Sequence, residues 1–147
     1  MAQTEIEKLL ANIEELVPVY MAIPEDYAKS KGVASGCIIG EDGQIYGKVF
    51  GNDKLRGRDS FKIAWTKASQ VWITGFKTNE YERLVFSDQI DYHTFGISPP
   101  DLVGYEGGQP VTLRDGTKLA VGFSGFRGAS DLEIVLKAIE KANTVIE

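Results

Sequence analysis

Two pairs of strand-forming runs, each turned back on itself by glycine, constrain this chain of 147 residues more than any other feature. Residues 32–39 and 44–50 flank Gly40-Glu41-Asp42-Gly43, whose glycines supply the positive φ that a tight turn needs. Residues 109–114 and 117–123 flank Asp115-Gly116, a favoured two-residue turn, and Leu119, Val121 and Phe123 alternate in strand fashion. Strands joined by so short a turn run antiparallel, so any sheet built from these four is antiparallel.

The remaining apolar residues recur with helical spacing. Ile6, Leu9, Leu10, Ile13, Leu16 and Val17 mark a first helix, with Thr4 and Glu7 in a capping-box pattern and Pro18 ending it or lying just beyond. Residues 19–31 give a mixed signal, open between a helical turn and a loop. After a polar loop over residues 51–57, a helix is predicted from Asp59 or Ser60 to Thr74. Its apolar face would be Phe61, Ala64, Trp65, Ala68, Val71 and Trp72, and Gly75 follows in the position that favours left-handed geometry. A shorter helix is predicted over residues 78–86, then an irregular segment rich in glycine and proline over residues 87–108. The last helix would start at Ser130, with Glu133 three residues later and a stripe of Leu132, Val135, Leu136, Ile139 and Ala142. Amphipathic helices need a surface to cover, so the expected class is α+β, one antiparallel sheet covered by helices.

Composition narrows the function classes. With 43% hydrophobic and 25% charged residues the chain suits one globular domain over residues 1–147. No run approaches the ~18 consecutive apolar residues of a membrane helix, and the N-terminus lacks the basic start and apolar stretch of a secretory signal, so a cytoplasmic protein with no membrane partner is expected. One cysteine, Cys37, and one histidine, His93, provide neither an internal disulfide nor a zinc-type ligand set. A net charge of −5 disfavours a phosphate backbone as partner. The local group Lys54, Arg56, Arg58 and Lys62 is broken by Asp53 and Asp59 and reads as a solvated loop and helix start.

Ser60, Lys67 and Thr74 fall at seven-residue intervals on the flank of the central helix. Lys67 has two readings. Its stem can cover the core while the ammonium extends into water, or the ammonium can face a cleft as an anion anchor or tuned acid, its pKa lowered by partial burial. In Glu106-Gly107-Gly108-Gln109-Pro110 the paired glycines either make a bend or let amides approach a ligand. Gly122-Phe123-Ser124-Gly125-Phe126-Arg127-Gly128 leads from the last long strand into the last helix, a geometry that can present amides and a helix dipole to an anion. It does not match the G-x-S-x-G nucleophile pattern. His93, beside Tyr92, is the available neutral-pH proton carrier or haem-iron ligand, and Tyr81, Tyr92, Tyr105, Phe86 and Phe95 make its segment aromatic.

Three stretches in this order resemble the GlcG/HbpS-like family, the haem-binding or haem-degrading domains of the DUF336 type. They are Ser60-Phe61-Lys62-Ile63-Ala64-Trp65-Thr66-Lys67-Ala68, Gly107-Gly108-Gln109-Pro110-Val111, and Val121-Gly122-Phe123-Ser124-Gly125 followed by Asp131. The central helix is also similar to that of the related UPF0303 branch, where a lysine-containing helix carries a tryptophan. The resemblance implies a three-layer-like α/β sandwich with a profilin-like antiparallel sheet, a homo-oligomer and, in some members, haem binding. The helix continues here as Ser69-Gln70-Val71-Trp72 in place of the family's alanine-rich sequence, and residues 76–106 form a longer, more aromatic segment.

Two functions follow as expectations, with a pure assembly module as a third reading. In the first, a cytoplasmic homo-oligomer binds an anionic planar small molecule such as haem in a cleft between the central helix flank, the Gly107-Gly108 loop and the aromatic segment. Its ligand-binding residues would be Ser60, Lys67, Tyr92, Tyr105, Gly107, Gly108, Ser124 and Gly125, and His93 would coordinate iron if haem is bound. In the second, a cofactor-independent enzyme isomerises, cyclises or hydrolyses a small carbonyl substrate, with Lys67 or His93 as the catalytic proton carrier and glycine-loop amides holding an oxyanion.

Overall fold

The computed structural model describes residues 2–142, 145 and 146, with side chains over residues 4–142. Its elements run α1 (Ala2–Met21), α2 (Pro24–Ser30), β1 (Ala34–Gly40), β2 (Ile45–Phe50), α3 (Lys54–Thr74), α4 (Thr78–Phe86), β3 (Gly108–Thr112), β4 (Lys118–Ser124), α5 (Gly128–Ala142) and β5 (Val145–Ile146). Both hairpins form, and they meet through β1 and β4 to give one antiparallel sheet in the order β2-β1-β4-β3-β5. The class is α+β, as expected.

Side chains alternate across this sheet, and the two faces are built differently. Ala34 and Ile38 of β1, with Leu119, Val121 and Phe123 of β4, pack against α1 and α5, meeting Ile6, Leu9, Ile13, Ile134, Val135 and Ile139 in the larger core. Cys37, Ile39 and Ala120 point the other way, to Ala64, Ala68 and Val71 of α3. The result is three layers, helices on both sides of the sheet. On the α3 side the approach is close enough that a Cβ on Gly122 would overlap the backbone of Ala64 and Ala68.

That closeness corrects the predicted face of α3. The helix rests on small residues, which turns Trp65 and Trp72 outward, 44% and 47% exposed. Its buried residues are Gly57, Ser60, Ala64, Lys67, Ala68, Gln70, Val71 and Thr74, so polar side chains share the inner face with small apolar ones.

Element ends also differ from expectation. Asp53 caps the amides of Leu55 and Arg56, so α3 starts at Lys54 rather than at Asp59 or Ser60. Gly57 therefore lies inside the helix, at a point where a Cβ would strike the Val49 side chain. The first helix begins at Ala2, which places Thr4 within it rather than at a cap, and it passes through Pro18 to Met21. Beyond the proline, Tyr20 is buried, stacks on Phe126 at 5.8 Å between ring centroids, and donates a 2.7 Å hydrogen bond to Glu133. These contacts outweigh the single backbone bond a proline removes. The last helix starts at Gly128, and the Ser130 hydroxyl donates to Asp26 instead of capping it. Residues 19–31 contain α2, and α4 and the Gly75 helix end stand where predicted. No helix among the described residues is long and apolar enough to cross a membrane.

Candidate functional site

A cleft of about 340 Å³ opens where α2, the first half of α3 and the turn from β4 into α5 converge. Lys29, Ser30 and Val33 line it from one side, and Arg56, Asp59, Ser60, Ile63 and Lys67 from α3. Ser124, Gly125, Phe126, Gly128, Asp131 and Tyr105 complete the wall. Arg56 is held at its edge by donating from Nε to the Ser30 carbonyl at 3.3 Å.

Lys67 forms the floor. It is 1% exposed, which excludes the solvated reading. The Nζ group donates to the Glu106 carbonyl at 2.7 Å, the Phe123 carbonyl at 2.8 Å and Asp131 Oδ2 at 3.2 Å. All three ammonium donors are therefore engaged by the protein. Asp131 accepts a further bond at Oδ1 from the Phe126 amide and sits in the first turn of α5, where the helix dipole favours a carboxylate. Burial lowers the Lys67 pKa against the pull of Asp131, and burial raises Asp131 to about 7 against the pull of Lys67. Each group is drawn toward its neutral form by lost hydration and back by the other's charge.

A second ion pair supports the same turn. Asp26 accepts from Arg127 Nε at 2.9 Å, from the Arg127 amide at 3.1 Å and from the Ser130 hydroxyl at 2.8 Å. Burial alone would raise the Asp26 carboxyl, but these hydrogen bonds hold it below the usual range.

The proposed site residues divide into three groups. Ser60, Lys67, Tyr105, Ser124 and Gly125 come together around the cleft. Gly107 and Gly108 stand behind it, and the space a Cβ would need is filled by protein: the Phe123 carbonyl and Lys67 Nζ at Gly107, and Thr78 and Val71 at Gly108. The Gly108 amide donates to the Thr78 hydroxyl, so close packing within the protein explains these glycines. Tyr92 and His93 lie elsewhere. Tyr92 lines a separate hollow with Val85, Phe86 and Pro99. His93 is exposed, with Nδ1 2.8 Å from Asp91 Oδ1. Of the expected aromatic wall Tyr105 reaches the cleft, whereas Tyr81 and Phe95 pack with Phe76, their centroids 5.9–6.4 Å apart.

Sequence reasoning did not name Gln70 or Arg56 as site residues, and it placed Asp131 in a motif without assigning it a role. Gln70 exchanges two hydrogen bonds of 2.8 Å with the Val103 backbone, and Thr78 accepts no less closely packed a role by donating to the Tyr105 carbonyl at 2.6 Å. Together with Lys67 they fasten residues 103–108 beside α3. The signal was a polar stripe, Ser60, Lys67, Gln70 and Thr74, along a helix that otherwise reads as core-facing. No group of three or more His, Cys, Asp or Glu side chains placed to hold a metal ion occurs among the described residues.

No protein-family model matches the chain and no curated protein does. Solved structures do. A PduOC:heme complex matches with a TM-score of 0.70 and 18% identity, over 98% of this chain and 96% of that one. Klebsiella pneumoniae ORFY, described by the DUF336 family model, matches with 0.66 and 17%, over 95% and 88%. A double mutant of Streptomyces reticuli HbpS matches with 0.62 and 17%, over 92% and 84%. The three layers, the antiparallel sheet and the helix order described above thus make this chain an example of the GlcG/HbpS-like, DUF336-type fold.

Proposed function

We propose that this chain is a cytoplasmic, homo-oligomeric small-molecule-binding protein, and that the cleft beside α3 takes an anionic, flat ligand such as haem. The observation that carries this reading is the lining itself. Val33, Ile63 and Phe126 offer apolar surface, while Lys29 and Arg56 put positive charge at the edge. Ligand sites combine apolar walls with a few polar groups that fix orientation. The fold neighbours include a protein crystallised with heme, which supports haem as the flat anion to test first.

The donor set of the cleft suits haem at both ends. Lys29 and Arg56 match propionates, and Tyr105, 74% exposed on the rim, has a phenol of the type that ligates haem iron. His93 stands outside the cleft and is not the ligand in this reading. Haem would bring redox and oxygen chemistry; the chain's own residues would seat it and shield one face.

Support for a homo-oligomer comes from the outer edge of the sheet. Ile45 and Val49 of the edge strand β2 are exposed on the same side as Trp65 and Trp72 of α3. Covering this apolar face and the unpaired edge with a second copy solves both problems at once.

Titration of the purified protein with hemin, followed by visible spectroscopy, tests the reading. A saturable shift of the Soret band that weakens in Tyr105→Phe and in Arg56→Gln is expected. Unsaturable absorbance identical to that with an unrelated protein removes haem as the ligand. Light scattering at micromolar concentration should give a mass of at least two chains, and a species of 16.2 kDa alone would refute the oligomer.

A further inference from the structure

The cleft has a polar corner that Lys67 does not explain. With its three donors bound to Glu106, Phe123 and Asp131, the Lys67 ammonium has none left for a ligand. Ser124 is different. It is 7% exposed and lines the cleft, and its hydroxyl has no hydrogen-bond partner among the described residues; its carbonyl accepts from Ser60 at 3.1 Å. The residue is held almost wholly within the protein while its hydroxyl opens onto the cleft, so its hydrogen-bonding capacity is available to a ligand there.

The start of α5 faces the same corner. This helix is 15 residues long, and Gly128 at its first position lines the cleft. The first amides of an α-helix have no acceptor inside the helix. Around this turn, the amides of Phe126 and Arg127 are taken by Asp131 and Asp26, and that of Asp131 by the Arg127 carbonyl. Those of Gly128 and Ala129 have no acceptor among the described residues. Gly125, with φ of +137°, lets the chain turn here against Ala34 and the Val33 carbonyl, where any side chain would collide.

We propose that the Ser124 hydroxyl and the Gly128 amide form an oxyanion subsite for the carboxylate of a ligand whose apolar body lies along Val33 and Ile63. The proposal rests on the cleft being the binding site and deepens that reading by naming its anion anchor. Charge selects among oxyanions. Lys29, Arg56 and Lys67 line the cleft with Asp59 and Asp131, the Lys67–Asp131 pair cancels itself, and Glu106 Oε1 is 3.5 Å from where a Gly128 Cβ would be. So small an excess of positive charge, with a carboxylate beside the helix start, suits a monoanion better than a phosphate monoester.

Amide-resolved NMR titration of the full chain with benzoate, benzamide and phenyl phosphate tests this. Benzoate should give saturable shifts at Ser124, Gly125, Gly128 and Ala129, and the other two probes should bind at least about tenfold more weakly. Ser124→Ala, which breaks no hydrogen bond within the protein, should keep the wild-type melting temperature and weaken benzoate by about tenfold. Glu106→Gln should tighten it. If benzoate shifts Val33, Ile63 and Phe126 but leaves residues 124–129 unmoved, or if Ser124→Ala binds as wild type does, the subsite is wrong while the cleft stands. If hemin binds with cleft shifts and benzoate shifts nothing, the subsite is likewise refuted. If neither probe moves any cleft amide, the cleft reading fails and the subsite with it.

Discussion

Lys67 Nζ and Asp131 Oδ2 form an ion pair of 3.2 Å between side chains that are 2% and 4% exposed, joining the helix on one face of the sheet to the helix on the other. The pair passes the end of β4, whose Phe123 carbonyl it also binds. Removing one partner leaves the other buried without its counter-charge, so it must either stay ionised at high cost or give up its charge and the hydrogen bonds that depend on it. Lys67→Met should therefore lower stability by about 3–5 kcal/mol, and Lys67→Met with Asp131→Leu by less than either single substitution. Urea unfolding of the four proteins measures this, and additive losses would contradict it.

Acid sensitivity should trace to Asp26. Its folded pKa lies below that of an ordinary aspartate, so the stability it contributes is present above about pH 4 and lost as pH falls through the folded value. Arg127→Met removes the hydrogen bonds that lower it. A loss of stability at neutral pH is expected, smaller than for a wholly buried pair because half of Arg127 is in water, and the acid-unfolding midpoint should move to higher pH. Circular dichroism across an acid titration shows the shift or its absence.

Substitutions should separate the two aromatic environments. Phe126 is 1% exposed and stacks between Tyr20 and Phe123, so Phe126→Ala is expected to cost about 3–5 kcal/mol. Trp72 is half in water, and Trp72→Ala should cost about 1 kcal/mol in the monomer's unfolding while weakening self-association. Equal destabilisation by the two would contradict the orientation of α3.

Cys37 is enclosed between β1 and α3, and burial pushes its thiol up to about 12. Because the thiolate is the reactive form, a thiol-specific disulfide reagent should modify it only after unfolding in urea. Fast modification of the native protein would show that α3 opens.

The elements legible from sequence were those fixed by local chemistry. The turns at Gly40-Glu41-Asp42-Gly43 and Asp115-Gly116, the Gly75 helix end and α4 depend on neighbouring residues only, and they stand where propensity puts them. The face of α3 depends on what lies opposite. Large apolar residues normally mark a buried face, but the narrow gap over Gly122 admits Ala64 and Ala68 and expels Trp65 and Trp72. In the site, Ser60, Lys67, Ser124 and Gly125 could be gathered from motifs, whereas the partner of Lys67 lies 64 residues away and no local rule points to it. His93 was attractive for its chemistry alone, and the fold leaves it outside the cleft.

The close seating of α3 on Gly122 divides labour between the two faces of the sheet. On the α1 and α5 side, interlocking side chains set the separation, so that layer can drift in sequence and absorb changes by repacking. On the α3 side, backbone meets backbone, and the separation is fixed by covalent dimensions. One wall of the cleft is thus mounted on a hard stop. Its width should be inherited nearly unchanged by distant homologues even as their stability varies widely, and what such a cleft admits will be decided by shape before it is decided by any movement to fit.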